Sequence, residues 1–201
     1  MKIFLFLRSE QSKNKFGKLR QLAVSSAFGY VDRMLSVLIE TRNNEDELPR
    51  TLASLIGGAL EGTVKEVIIC DLGSTDRTHK VADVAGCVWV PSGGVAAGVR
   101  QAKGEWLLLL EPGAAVMDGW VEAVQRHYAK ATIAARFTRS RMARTPFLGR
   151  ILGGNRGLAQ GLLIRKSQAT SLSRNGQDAE AIARGLATKQ IQAEIMPAQK
   201  K

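Results

Sequence analysis

The 201-residue chain is 45% hydrophobic with a formal net charge of +11, which excludes wholesale disorder and leaves room for one domain with a full core but hardly two. No apolar run approaches the roughly 18–20 residues that span a bilayer, and the apolar stretch from Ile3 to Leu7 stops at Arg8, too short for a secretory signal. Cys70 and Cys87 fall in or beside expected buried strands with no metal-ligand spacing, so they read as reduced core residues of a cytoplasmic protein.

The charge is uneven. The first 33 residues hold seven Lys/Arg against two acids, and between Glu122 and Asp178 there are eleven Lys/Arg and no acid. Blocks of this kind suit an anionic partner, whether nucleic acid, an acidic membrane surface or a phosphorylated ligand; a solvated basic face is the plainer alternative.

In chain order, residues 1–33 form a basic N-terminal extension in which Lys15 to Tyr30 has the pattern of an amphipathic helix, with Phe16, Leu19, Leu22 and Ala23 on one side. A start upstream of the natural one, at Met34, explains the extension equally well. A single domain is expected over 34–197, with a nucleotide-binding half over 34–128, a reduced acceptor half over 129–197 and a tail over 198–201. Ser36 to Ile39 reads as a strand ending in the polar turn Glu40 to Glu45, and Asp46 to Ile56 as a helix with Leu48, Leu52, Leu55 and Ile56 on one face. Gly57-Gly58 is expected to end or loosen that helix.

Val67 to Cys70 is an unbroken apolar run, the pattern of a strand covered on both faces. It ends in Asp71-Leu72-Gly73-Ser74-Thr75-Asp76, and a helix follows from Arg77 to Ala85, with Asp76 or Ser74 able to cap it. An acid leaving the C-terminal end of a buried strand sits where open α/β sheets bind their ligands. Asp71 and Asp76 serving only as turn and cap is the bland alternative.

Further strands are expected at Cys87 to Val90 and Trp106 to Leu110, and helices at Val95 to Ala102 and from Asp118 to about Tyr128, with Glu111 to Ala114 a turn. Beyond Lys130 the pattern weakens: strands over Thr132 to Phe137, Leu158 to Ile164 and Gln190 to Ile195, an arginine-rich loop over Arg139 to Arg156, and a helix over Asp178 to Ala187. Alternation at this short spacing predicts an α/β fold with a mostly parallel, Rossmann-like sheet flanked by helices.

Taken together, Ser36-Val37-Leu38-Ile39-Glu40-Thr41-Arg42-Asn43, Ile69 to Thr78, Ala102-Lys103-Gly104-Glu105-Trp106 and Gly119-Trp120 resemble, in order and spacing, the motifs of family 2 glycosyltransferases with the inverting GT-A fold. The resemblance covers Leu35 to about Tyr128. It implies a nucleoside-diphosphate sugar as donor, a UDP-sugar above all. Thr41 and Asn43 would border the nucleotide and Asp71 would bind uracil or ribose, with Ser74, Asp76 and Glu111 completing the nucleotide site.

The departures from the family pattern are specific. The first-strand proline is Glu40, and the second Asp of Asp-Asp-Gly-Ser is Leu72. The metal-binding Asp-x-Asp falls on Glu111-Pro112-Gly113, which leaves Glu111 as a possible ligand and places a role for Mn²⁺ or Mg²⁺ in doubt. Val95 and Ala96 stand where Arg and Asn are usual. In the acceptor half, Gly161 to Lys166 fits a family strand, and Gln177-Asp178 fits the pair whose Asp is the catalytic base, so Asp178 is the candidate base, with an N-cap role as the alternative. Arg139, Arg141 and Arg144 are candidates to neutralise the leaving diphosphate.

The first reading is thus a compact glycosyltransferase acting on an unknown acceptor, anionic or lipid-linked, at the inner face of a membrane. A catalytically inactive binding or regulatory module of the same fold is the second. Nucleic-acid binding rests on charge alone, with only Phe137 and Phe147 for stacking in the basic tract. A nucleotidyltransferase usually needs a glycine-rich first turn, absent here.

Overall fold

A computed structural model of the chain describes residues 34–130, 133–143, 157–173, 178–184 and 186–199. The N-terminal extension, Arg144 and the apolar residues Phe147, Leu148, Ile151 and Leu152 of the basic tract lie outside them.

The apolar run from Leu35 becomes β1 (Leu35–Thr41), and its neighbours in sequence follow the expected alternation: α1 (Leu48–Ser54), α2 (Ile56–Leu60), β2 (Val64–Asp71), α3 (Thr78–Ala85), β3 (Val88–Val90), α4 (Gly94–Gln101) and β4 (Trp106–Leu110). β1 pairs in parallel with β2 on one side and β4 on the other, and β2 with β3. The second half adds β5 (Ala115–Val116), α5 (Trp120–Lys130), β6 (Ala135–Arg139), β7 (Leu162–Arg165), α6 (Lys166–Ser173), α7 (Ala179–Ala183) and β8 (Lys189–Met196). Among the described residues, eight strands run in the order β3-β2-β1-β4-β7-β6-β8-β5. β7 is antiparallel to β4 and to β6, and β5 to β8, whereas β6 and β8 are parallel. The sheet is therefore parallel in its first half and mixed in its second.

Strand pleating divides the core into two layers. Val37 and Ile39 of β1, Val67 and Ile69 of β2, and Leu108 and Leu110 of β4 face α1, α3 and α5. Leu38, Ile68, Cys70, Leu107 and Leu109 face α4, α6 and α7. Burial on both faces explains why these strands read as continuous apolar runs. It also pushes the thiols of Cys70 and Cys87 up to about 12, Cys70 with a further contribution from the Glu40 charge.

Two differences from the sequence reading have packing causes. Gly57-Gly58 does not end the helical stretch; α2 runs through both, and glycine at 58 makes room for the Trp120 ring, which a Cβ there would meet at 2.4 Å. α6 carries polar residues along much of its length and escapes a periodicity search, yet its own Ala169 is fully buried. Among the described residues, no helix is long and apolar enough to cross a membrane.

Close backbone approach fixes the β1–β4 junction. A Cβ on Gly104 would stand 2.5 Å from the Met34 carbonyl oxygen and 2.6 Å from the Ser36 amide nitrogen, atoms that cannot swing aside. Gly104→Ala is expected to lower the unfolding free energy by about 2 kcal/mol, read from the denaturant midpoint at unchanged slope.

Candidate functional site

β1, β2, β4 and β6 share one direction, since β6 is antiparallel to β7 and β7 to β4. Their C-terminal ends open at one edge of the sheet, and every candidate residue within the described set stands along that edge or on a loop leaving it.

At its centre is a polar clasp between the loops after β1 and β2. Asp71, the last residue of β2, is buried at 4% exposure. Its Oδ1 accepts from the hydroxyls of Thr41 (3.2 Å) and Ser74, and its Oδ2 from the amides of Gly73 (3.0 Å) and Ser74 (2.8 Å). Four donors fill the four acceptor positions of a carboxylate. Asp71 therefore shapes the turn from within, and a nucleotide could reach it only by displacing one of these donors.

Asn43 closes the clasp from the other side. Its φ of 55° lies in the left-handed region that Asn tolerates better than most residues. Its amide donates to Ser74 Oγ (2.9 Å), and its Oδ1 accepts from the Thr75 amide (2.8 Å). Asp76 acts one step along: it accepts from the Thr78 amide (2.9 Å) and hydroxyl, opening α3, and from the Glu45 amide (3.1 Å). Partial desolvation raises the Asp76 pKa, but these hydrogen bonds outweigh it and hold the carboxyl below its ordinary value of 3.8. Thr41, Asn43, Asp71, Ser74 and Asp76 are thus brought into one network, while Leu72, exposed at 46%, is left at its surface.

Glu111 leaves the end of β4, on the same edge. The turn after it is built around Gly113, whose amide donates to Thr51 Oγ1 (2.8 Å) of α1. With φ at +88° and Glu47 Cβ 3.3 Å from where its own Cβ would stand, position 113 is strained for any L side chain. Among the described residues, no group of three or more His, Cys, Asp or Glu could hold a metal ion.

Asp178 caps α7, accepting from the Ala181 amide at 2.6 Å, and is otherwise exposed. The next residue, Ala179, donates its amide to Glu40 Oε2 (3.1 Å) at the end of β1. That bond brings Asp178 to the same edge as the clasp. Glu40 Oε1 meanwhile accepts from the Val95 amide in the first turn of α4 (3.1 Å). Sequence reasoning noted Glu40 only as a departure from a pattern; a charged side chain at the end of an apolar strand was the signal of its use.

Arg139 ends β6 on this edge and Arg141 follows it; both are exposed. Arg136 is committed elsewhere, donating to the carbonyls of Gly157 and Ala183. It holds backbone rather than a ligand, so the arginines of the tract are not all free for an anion.

The helix-flanked sheet, parallel in its first half and mixed in its second, matches the GT-A fold of similar solved structures. The model of glycosyl transferase family 2 matches residues 36–150, and the chain belongs to that family. A search of the curated proteins finds no match. Among solved structures, the chain is similar to glucosyl-3-phosphoglycerate synthase from Mycobacterium tuberculosis in complex with Mg²⁺ and UDP, at 15% identity and a TM-score of 0.58, covering 84% of this chain and 73% of that one. The same enzyme with Mn²⁺, UDP and glucosyl-3-phosphoglycerate gives 17% and 0.52, over 70% and 59%. S. aureus TarS 1-349 gives 17% and 0.53, over 81% and 58%. The chain thus spans less than two thirds of the length of the latter two structures.

Two outcomes follow from the clasp. Asp71→Ala is expected to lower stability by about 2 kcal/mol, chiefly because the buried Thr41 hydroxyl loses its acceptor while the part-buried turn amides can regain water; chemical denaturation measures it. Because the folded Asp76 pKa is depressed, its contribution is full above pH 3.8 and is lost as pH falls through the lower folded value. The difference in thermal midpoint between wild type and Asp76→Asn should accordingly be constant near neutrality and shrink below about pH 4.

Proposed function

We propose that the chain is the donor-binding and catalytic domain of an inverting glycosyltransferase that uses a UDP-sugar. The observation that carries this reading is the clasp of Thr41, Asn43, Asp71 and Ser74 at the C-terminal ends of β1 and β2, inside the stretch matched by the family. It is supported by UDP in the complexes of structurally similar proteins.

In this reading the clasp presents a rigid polar rim to the uridine. Asp178 takes the proton from the acceptor hydroxyl as that oxygen attacks the anomeric carbon. The bond from that carbon to the diphosphate breaks, its electron pair leaves with the UDP, and configuration inverts. Arg139 and Arg141 balance the charge that accumulates on the diphosphate, because exposed guanidinium groups pair well with phosphate oxygens. The similar synthase is seen with Mn²⁺ or Mg²⁺; here Glu111 is the acid of the corresponding turn and Gly113 offers no ligand, so no step is routed through a metal.

Calorimetry with UDP, with and without Mn²⁺, tests the site. UDP is expected to bind with little gain from Mn²⁺. Asp178→Asn should leave UDP affinity within about twofold while turnover of a UDP-sugar falls by about 10²–10⁴. Binding of UDP with no turnover in the wild type would instead favour a binding module of the same fold, the reading to which Gly113 and the capping bond of Asp178 lend weight.

The acceptor is proposed to be anionic or lipid-linked, on the strength of the acid-free basic tract and the two exposed arginines at the site's edge. The full chain should co-sediment with anionic vesicles at low salt and less so at high salt, since surface charge is screened. Equal, negligible sedimentation with anionic and neutral vesicles would remove the membrane from the proposal.

A further inference from the structure

The resemblance places a proline at position 40, and a proline side chain accepts no hydrogen bond. Glu40 does something specific there. Its side chain projects from β1 on the same face as Leu38, toward α4 and α7, and its two oxygens are divided between them: Oε1 takes the Val95 amide and Oε2 the Ala179 amide, each at 3.1 Å. The bonds lie among buried residues, Val95 at 1% and Ala179 at 4% exposure, where water competes poorly for the amides. One adjustment accommodates the carboxylate. Gly94 is at φ +52°, and a Cβ on it would stand 3.1 Å from Glu40 Oε1. Cys70, on the neighbouring strand and the same face, carries the electrostatic trace of that charge.

α7 has only five residues, too short to hold its own position. Glu180 accepts from the amides of Gly157 and Leu158, and Arg136 donates to Ala183 O, so these two tie α7 within the second half of the chain. Glu40 ties it across to β1, over 139 residues of sequence. Asp178 is the residue before the tethered amide, so its Cα is within about 3.8 Å of the Ala179 Cα and follows any movement of it.

We infer that Glu40 is a positioning residue that locks the first turn of α7, and with it Asp178, against the nucleotide-binding half. The inference rests on the transferase reading for its catalytic consequence. Glu40 is not a second base: both of its oxygens are engaged by backbone amides. Asp178 spends one oxygen on its cap and keeps the other at the exposed edge.

The test uses the full chain and two variants, Glu40→Ala and the near-isosteric Glu40→Gln. Amide exchange followed by NMR should accelerate at least tenfold at both Val95 and Ala179 in Glu40→Ala, with Ala181 faster too, while core amides of β4 keep their protection. Glu40→Gln retains one acceptor oxygen, so one of the two amides should stay protected, which keeps the test informative if the alanine variant fails to fold. With UDP-glucose as probe, turnover should drop at least tenfold in Glu40→Ala while UDP affinity changes less than threefold. Unchanged exchange at Ala179 in Glu40→Ala, or at both Val95 and Ala179 in Glu40→Gln, overturns the inference, and so does faster exchange with unchanged turnover. A wild type that binds UDP but turns over no UDP-sugar overturns the transferase reading and the catalytic consequence of Glu40; the exchange rates then still decide whether the tether exists.

Discussion

The pleat of β1 sends Thr41 to one face of the sheet and Glu40 to the other, and each side chain engages a different part of the molecule. Thr41 meets Asp71 and joins the loops after β1 and β2. Glu40 meets the first turns of α4 and α7 and joins the two halves of the chain. This works because β1 lies between β2 and β4 with both faces covered, so its end is fixed to within the tolerance of a close-packed core. The candidate site is assembled around two adjacent residues whose opposite directions follow from the period of a strand.

Most of the first half was legible in the sequence for the same reason. Apolar runs such as Trp106 to Leu110 have one stable fate, and polar turns at their ends can lie only at the sheet's edge. The grouping of Thr41, Asn43, Asp71, Ser74 and Asp76 was foreseeable from motif order. What the motifs did not convey is that Asp71 spends its full hydrogen-bonding capacity on its own loop. A carboxylate bound to a ligand and one bound to neighbouring amides look alike in sequence, because the partners are set by how the turn curls.

The second half was less legible because two of its strands, β5 and β7, are short and its signals are tertiary. β5 has two residues and carries no period of its own. The strand expected over Leu158 to Ile164 begins only at Leu162, because Gly161 at φ +63° turns the chain before β7. Arg136 read as one cation among many, yet its guanidinium is bound to two carbonyls from separate segments. Counting charges measured the composition of the tract and overstated the share of it that an anion can meet.

The place of β8 has a consequence for how the protein is made. It is the last strand in sequence but lies inside the sheet, between β6 and β5, and β5 is held to the sheet through it. β1, β2 and β3, with their sequence-local contacts, can gather as they leave the ribosome, whereas β6 waits for a partner made some fifty residues later and β5 for one made about eighty later. Contacts of such long sequence separation close slowly. Until β8 arrives, β6 has an open edge on that side, the part of the nascent chain most exposed to pairing with the wrong strand.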